Sequence, residues 1–203
     1  VPHGMIQPSP DTRIDGWDAC SGYYYADSTI NGFSHTHVSG TGCCDYGDVL
    51  LMPTVGKQQY RTTDPQSQRL AYASSFSHKN EIAEPGYYSV FLDTYQVKAE
   101  ISSTKRGAIH RYTFPENTES GFIIDLDYSL QRQTNSEMEI EVISDTEICG
   151  HKKTTYWAFD QYINFYAKFS KPFSYTLIAD GFYHHGQWQT ASCLQSIIAF
   201  QHQ

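Results

Sequence analysis

The sequence has little positive charge: 14 Lys and Arg stand against 22 Asp and Glu, a formal net charge of −8. A general binder of nucleic acid or of an anionic membrane needs a basic patch that displaces counterions, and none is visible here. Long hydrophobic runs are also missing. The longest purely apolar stretches, such as residues 49–52 and 197–200, fall far short of the ~20 residues a membrane-spanning helix requires. Five cysteines (Cys20, Cys43, Cys44, Cys149 and Cys193) make an odd number with no C-x-x-C pair. That argues against a zinc ribbon and against a full disulfide framework, while leaving room for one disulfide. There is no Asn-x-Ser/Thr sequon, no G-x-S-x-G elbow, no phosphate-binding P-loop and no G-x-G-x-x-G. The chain opens at Val1-Pro2-His3 without an initiator Met or a signal-like leader, so it reads as a processed or cut polypeptide whose address is not legible. Disorder is disfavoured, because 39% of residues are apolar and only 18% are charged.

What is abundant is aromatic side chain, with 16 Tyr, 11 Phe and 3 Trp in 203 residues. Tyrosine joins a flat apolar face to a hydrogen-bonding tip, which suits both β-sheet and wet binding clefts. Period-2 alternation is the dominant pattern. In Glu137-Met138-Glu139-Ile140-Glu141-Val142 the acids share one side and the apolar residues the other, the signature of a strand with one solvated face. Residues 162–169 repeat it, with Ile163, Phe165, Ala167 and Phe169 on one side. Further strands are expected at 87–92, 98–103, 110–114, 122–128, 154–159, 175–179 and 194–201. Between them stand the turn formers Glu84-Pro85-Gly86, Lys105-Arg106-Gly107, Pro115-Glu116-Asn117 and Ala179-Asp180-Gly181. No convincing helical periodicity interrupts them. Strands about ten residues apart with turns between them predict one all-β domain, a large antiparallel β-sandwich, preceded by about 60 residues of Gly-, Asp- and Ser-rich ordered loop.

Loops on a rigid sheet are where binding residues concentrate, so candidate chemistry is sought there first. Trp17 sits in a polar, Gly-containing turn, where it is either core or a platform for the apolar face of a ligand. At least one ring of Tyr23-Tyr24-Tyr25 must point away from any core. His35 and His37 project to the same side of an extended backbone, as paired metal ligands do, and Cys43, Asp45 and Asp48 lie close enough in sequence to join them. Two imidazoles bonded to loop carbonyls fit the same pattern equally well. Residues 76–88 read as a loop running into a strand. Glu81 and Glu84 there are either paired carboxylates for glycosidase-type acid/base work or plain solvated charges. His184-His185-Gly186-Gln187-Trp188 reads as a hairpin tip.

The run Ser28-Thr29-Ile30-Asn31-Gly32-Phe33-Ser34-His35-Thr36-His37-Val38-Ser39-Gly40-Thr41-Gly42-Cys43, continuing through Asp45-Tyr46-Gly47-Asp48 to Pro53, closely resembles glycoside hydrolase family 92. The likeness extends to Gly16-Trp17-Asp18 with Cys20, to Ser77-His78 with Glu81, to His110-Arg111-Tyr112-Thr113-Phe114-Pro115, and to residues 166–173. Cys44 and Lys79 depart from the family pattern. The resemblance implies a calcium-dependent, inverting exo-α-mannosidase, secreted, periplasmic or at the cell surface, acting on α-mannoside glycans with α-1,2 linkages expected. It implies a sandwich of the galactose-mutarotase type packed on an (α/α)6 helical domain that carries the catalytic acid, the base and most calcium ligands. On that reading residues 1–203 are the sandwich alone, truncated at both ends and inactive by itself, with Glu81 and Glu84 structural. Its expected contribution is one wall of the sugar pocket, from Trp17, Asp18, Cys20, His35, His37, Gly40, Thr41 and Gly42. The alternatives are a stand-alone carbohydrate-binding module or a metal-binding β-sandwich built on His35, His37, Cys43 and Asp45.

Overall fold

Turn residues cut the chain into short extended segments, and the alternation within each segment decides which face it buries. The computed structural model describes residues 4–17, 20–39, 45–57, 60, 67–157, 159–179, 183–184, 187–188 and 196–202. Its strands are β1 (Ser9–Asp11), β2 (Thr29–Ile30), β3 (Gly32–Ser34), β4 (Leu50–Val55), β5 (Ser74–Glu84), β6 (Tyr87–Leu92), β7 (Val97–Ser103) and β8 (Ala108–Thr113). They continue as β9 (Ser120–Asp125), β10 (Thr134–Val142), β11 (Glu147–Thr155), β12 (Gln161–Lys168), β13 (Ser174–Ala179), β14 (Tyr183–His184), β15 (Gln187–Trp188) and β16 (Ser196–His202). A short 3-10 turn forms at Leu130–Arg132, and among the described residues no helix is long and apolar enough to cross a membrane.

All pairings are antiparallel. A six-stranded sheet runs in the order β1-β3-β4-β9-β16-β13, a five-stranded sheet β2-β5-β6-β7-β8, and a three-stranded sheet β10-β11-β12. The six-stranded sheet lies between the other two. Phe33, Leu50, Met52 and Ile123 face Ile30, Phe76, Val90, Leu92, Val97, Ala99 and Ile101 of the five-stranded sheet. Val49, Ile124 and Leu126 face Met138 and Ile148 of the three-stranded sheet, with Ile140, Ile163, Phe165 and Ala167 packed around them. A strand covered on both faces reads as an unbroken apolar run rather than an alternation. This accounts for residues 49–52 and for Phe122-Ile123-Ile124. The outer sheets keep one face in water, so β10 shows the Glu-apolar alternation and its acids stay exposed.

Two expectations are corrected. Residues 76–88 are not a loop: β5 runs through Glu84, with a register shift between Phe76 and Glu81. Its polar stretch Ser77-His78-Lys79-Asn80 lies where the ladder is interrupted, which masks the alternation. Residues 154–159 are not a strand either. Thr154 and Thr155 end β11, and the chain then reverses through a turn closed by Asp160 at φ 53°. The pairing of β11 with β10 and β12 fixes that reversal and leaves Tyr156, Trp157 and Phe159 exposed. The hairpin expected at 184–188 is present as β14 paired with β15, with residues 185–186 outside the described residues.

Candidate functional site

The loop bearing Trp17 leaves β1 and returns at Gly22, where the Thr12 and Arg13 amides both donate to the Gly22 carbonyl (2.7 and 3.1 Å). Arg13 pairs with Asp27 at 2.9 Å and lies over the Tyr24 ring at 4.0 Å. Ile14 is buried and pins the loop to the core, while the amides of Ile14 and Asp15 donate to Gln68 Oε1 at 2.8 and 3.1 Å. Gln68 Nε2 donates back to Asp15. Arg132 donates to Asp15 at 2.9 Å and to the Ser67 carbonyl at 3.0 Å. On this clamped base Trp17 stands 79% exposed, which rules out the core reading. Cys20, half-buried, donates its thiol to the Trp17 carbonyl at 3.0 Å. Of the tyrosine triplet, Tyr25 points outward and stacks on His78 at 4.2 Å, while Tyr23 packs against the core.

The strand alternation expected for His35 and His37 breaks because β3 ends at Ser34 and the chain bends there. His35 Nδ1 lies 2.6 Å from the Val49 carbonyl and must donate to it, so a neutral His35 presents Nε2 as an acceptor. His110 Nε2, 3.2 Å away, then donates, and His110 Nδ1 accepts from the Tyr112 hydroxyl at 2.8 Å. Burial lowers the pKa of His35 below its ordinary value, and burial together with the neighbouring His35 brings His110 to about 3. Both rings are therefore neutral. His37 is the opposite case. Burial alone would lower it, but Asp11 at 2.8 Å and the Gln7 carbonyl at 2.6 Å make both ring nitrogens donors and raise its pKa. Ser34 Oγ lies 2.9 Å from the same Nε2. All four ring nitrogens are thus engaged by protein partners, and the two histidines do not converge as a metal-binding pair. Cys43 lies outside the described residues. Asp45 is buried and accepts from Gln133 Nε2 at 2.8 Å.

Asp48 anchors the far end of the same loop. Its side chain pairs with Lys152 at 3.1 Å, both fully buried, and accepts from Thr36 Oγ1 at 2.6 Å and from Gln161 at 3.1 Å. Lys152 also donates to the Tyr128 carbonyl at 2.6 Å. Of the expected pocket residues, Trp17 and Cys20 lie on one loop, while His35 is half-buried and His37 buried just after β3. Asp18, Gly40, Thr41 and Gly42 fall outside the described residues. Glu81 accepts from Tyr23 and Tyr88 (3.0 and 2.6 Å) and from His78 (2.6 Å), whereas Glu84 is exposed; three residues apart on one strand, they do not form a pair. Reading the sequence alone missed Gln68, Arg132 and His110 as supports. They lie 53, 117 and 75 residues from their partners Asp15, Asp15 and His35, so no local spacing could reveal them.

The chain is thus a layered antiparallel β-sandwich with an exposed tryptophan on a clamped loop. The chain matches the model of the glycosyl hydrolase family 92 N-terminal domain over residues 1–202, and it belongs to that family. It is similar to the family 92 α-mannosidase BT3965 from Bacteroides thetaiotaomicron, with a TM-score of 0.86 and 33% identity over 99% of this chain and 28% of that one. The inverting family 92 mannosidase BT2199 from the same organism matches at TM-score 0.72 and 26% identity, over 99% of this chain and 25% of that one. A curated relative from Arthroderma benhamiae, described as an uncharacterized secreted glycosidase, is 29% identical over 120 residues, which is 58% of this chain and 15% of that protein. The chain therefore spans about a quarter of the solved relatives and less of the curated one.

Proposed function

We propose that this chain is the sandwich domain of a secreted, inverting α-mannosidase that removes terminal α-mannose, α-1,2 linkages first among its targets. Its part is one wall of the sugar pocket, while the acid, the base and the calcium site belong to a helical catalytic domain outside this sequence. The observation that carries this reading is Trp17, 79% exposed on a loop whose base is tied by Gln68 and Arg132. An aromatic plane held in that way suits the C–H face of a pyranose, and the polar residue types of 35–42 suit its hydroxyls. Among the described residues no group of three or more His, Cys, Asp or Glu side chains comes together in a way that could hold a metal. Calcium would draw its ligands mainly from the catalytic domain of the parent.

In an inverting glycosidase the acid and base stand on opposite sides of the scissile bond with a water between them. Glu81 cannot act as either, because two tyrosine hydroxyls and His78 already occupy its oxygens. The test is a paired assay of this chain and its full-length parent on an α-mannobiose, with and without a calcium chelator. Activity confined to the parent and lost to the chelator is expected. Hydrolysis by the 203-residue chain alone would overturn the assignment. In the parent, Trp17→Ala is expected to weaken substrate binding about tenfold, read in KM, with the thermal midpoint unchanged.

A further inference from the structure

Tyr25 is 70% exposed, yet one face of its ring is taken: it lies on the His78 imidazole with centroids 4.2 Å apart and planes within 16°. The opposite face meets no other ring among the described residues and stands in water. The support beneath is built in layers. His78 Nδ1 lies 2.6 Å from Glu81 Oε2, and Phe76 meets the His78 ring edge-on at 5.0 Å. Glu81 in turn accepts from the hydroxyls of Tyr23 at 3.0 Å and Tyr88 at 2.6 Å. The bond to Glu81 raises the pKa of His78 and favours its charged ring, which attracts the tyrosine face above it. The flanking backbone is tied to the Trp17 loop. The Tyr24 amide donates to Thr12 Oγ1 at 2.8 Å, and Arg13 pairs with Asp27 at 2.9 Å while lying over the Tyr24 ring. Tyr25 and the Trp17 loop therefore share one clamped base.

Other exposed rings lack this arrangement. Trp157 meets Tyr156 edge to face at 6.1 Å, and Lys153 lies 5.0 Å from the centre of the Tyr162 ring. A tyrosine fixed on one face and bare on the other has little freedom left to lose when a second flat surface covers it. The surface that fits is an uncharged ring with C–H faces and hydroxyls at its rim, since the aromatic plane takes the stacking and the phenol tip bonds at the edge. We propose that Tyr25 is a second stacking platform, which takes a pyranose further along the same glycan than the sugar at Trp17. The choice of a glycan rests on the function proposed above, while the platform itself rests on the His78 stack.

The test compares the full-length parent with its Tyr25→Ala and Tyr25→Phe variants on an α-mannobiose and on a linear α-mannotetraose. A side chain this exposed is expected to leave the thermal midpoint where it is. Tyr25→Ala is expected to raise KM for the tetraose about threefold or more beyond its effect on the biose, and Tyr25→Phe, which keeps the ring, to recover most of that loss. Calorimetric titration of the same proteins with the tetraose should rank their Kd values in the same order. Three results would overturn the platform: an equal effect on both substrates, no effect on either, or a phenylalanine variant as weak as the alanine one. If Trp17→Ala leaves both KM values unchanged while Tyr25→Ala keeps its dependence on glycan length, the Trp17 reading fails and the Tyr25 platform stands. A parent that hydrolyses neither substrate overturns the function proposed above, and the calorimetric ranking then decides the platform.

Discussion

At the scale of single residues, His35 and His37 show how two positions of one short motif reach opposite protonation states. His35 shares its ring nitrogens with a carbonyl and another imidazole, so burial wins; His37 shares its own with a carboxylate and a carbonyl, so charge wins. The consequences for stability have opposite signs. His110 falls from an ordinary 6.5 to about 3 on folding, so below pH 6.5 the unfolded chain binds more protons and stability is lost as the pH falls towards 3. Thermal melts between pH 7 and 4 are expected to show a shallower acid-side decline in His110→Gln than in the wild type. His37, raised on folding, contributes its stability below 6.5 and loses it as the pH climbs through the raised value. His37→Gln should therefore cost more at pH 6 than at pH 9 in the same melts. Gly22 guards this pair: at φ +81° an added Cβ would strike the Asp11 carboxylate and come within 3.3 Å of His37 Nε2. Gly22→Ala is expected to destabilise by about 1–3 kcal/mol in urea titration. The histidines themselves are legible in the sequence, but their roles are not, because the bend after Ser34 and the distant partner His110 decide them.

At the scale of elements, the six-stranded sheet owes its position to strands with no polar face. Ile123→Ala and Ile124→Ala point into different cores, yet each is expected to cost ~2–5 kcal/mol by denaturant unfolding. Ile82→Ala, on the half-exposed end of β5, should fall within about 0.5 kcal/mol of the wild type. The three-stranded sheet is tied down by Lys152, which crosses to Asp48 with both groups out of water. Lys152→Met strands a buried carboxylate and is expected to cost about 3–5 kcal/mol, with Asp48→Asn recovering part of the loss in the double variant. Most strands were legible because each outer sheet keeps a wet face that imprints period 2 on the sequence. β4 was visible only as an apolar run, β5 was hidden by its interrupted ladder, and Lys152 reads as a solvated charge until its register beside Met138 and Ile163 turns it inward.

At the scale of the whole molecule, the turn between β11 and β12 holds Tyr156, Trp157 and Phe159 at 40%, 64% and 83% exposure. So much aromatic surface on one turn favours association, and sedimentation of the isolated chain at rising concentration is expected to show self-association that Phe159→Ser reduces. The strand order carries another consequence, for synthesis. β9 sits between β4 and β16, and Ser196 lies 71 positions after Asp125. At ~5–20 residues per second a ribosome takes about 4–14 s to supply that missing neighbour. Throughout that interval Phe122, Ile123 and Ile124 lie on an open strand edge of the kind that recruits other chains. The nascent polypeptide thus passes through a stretch of seconds in which a holding chaperone has a defined place to bind, and β16 is the segment that displaces it.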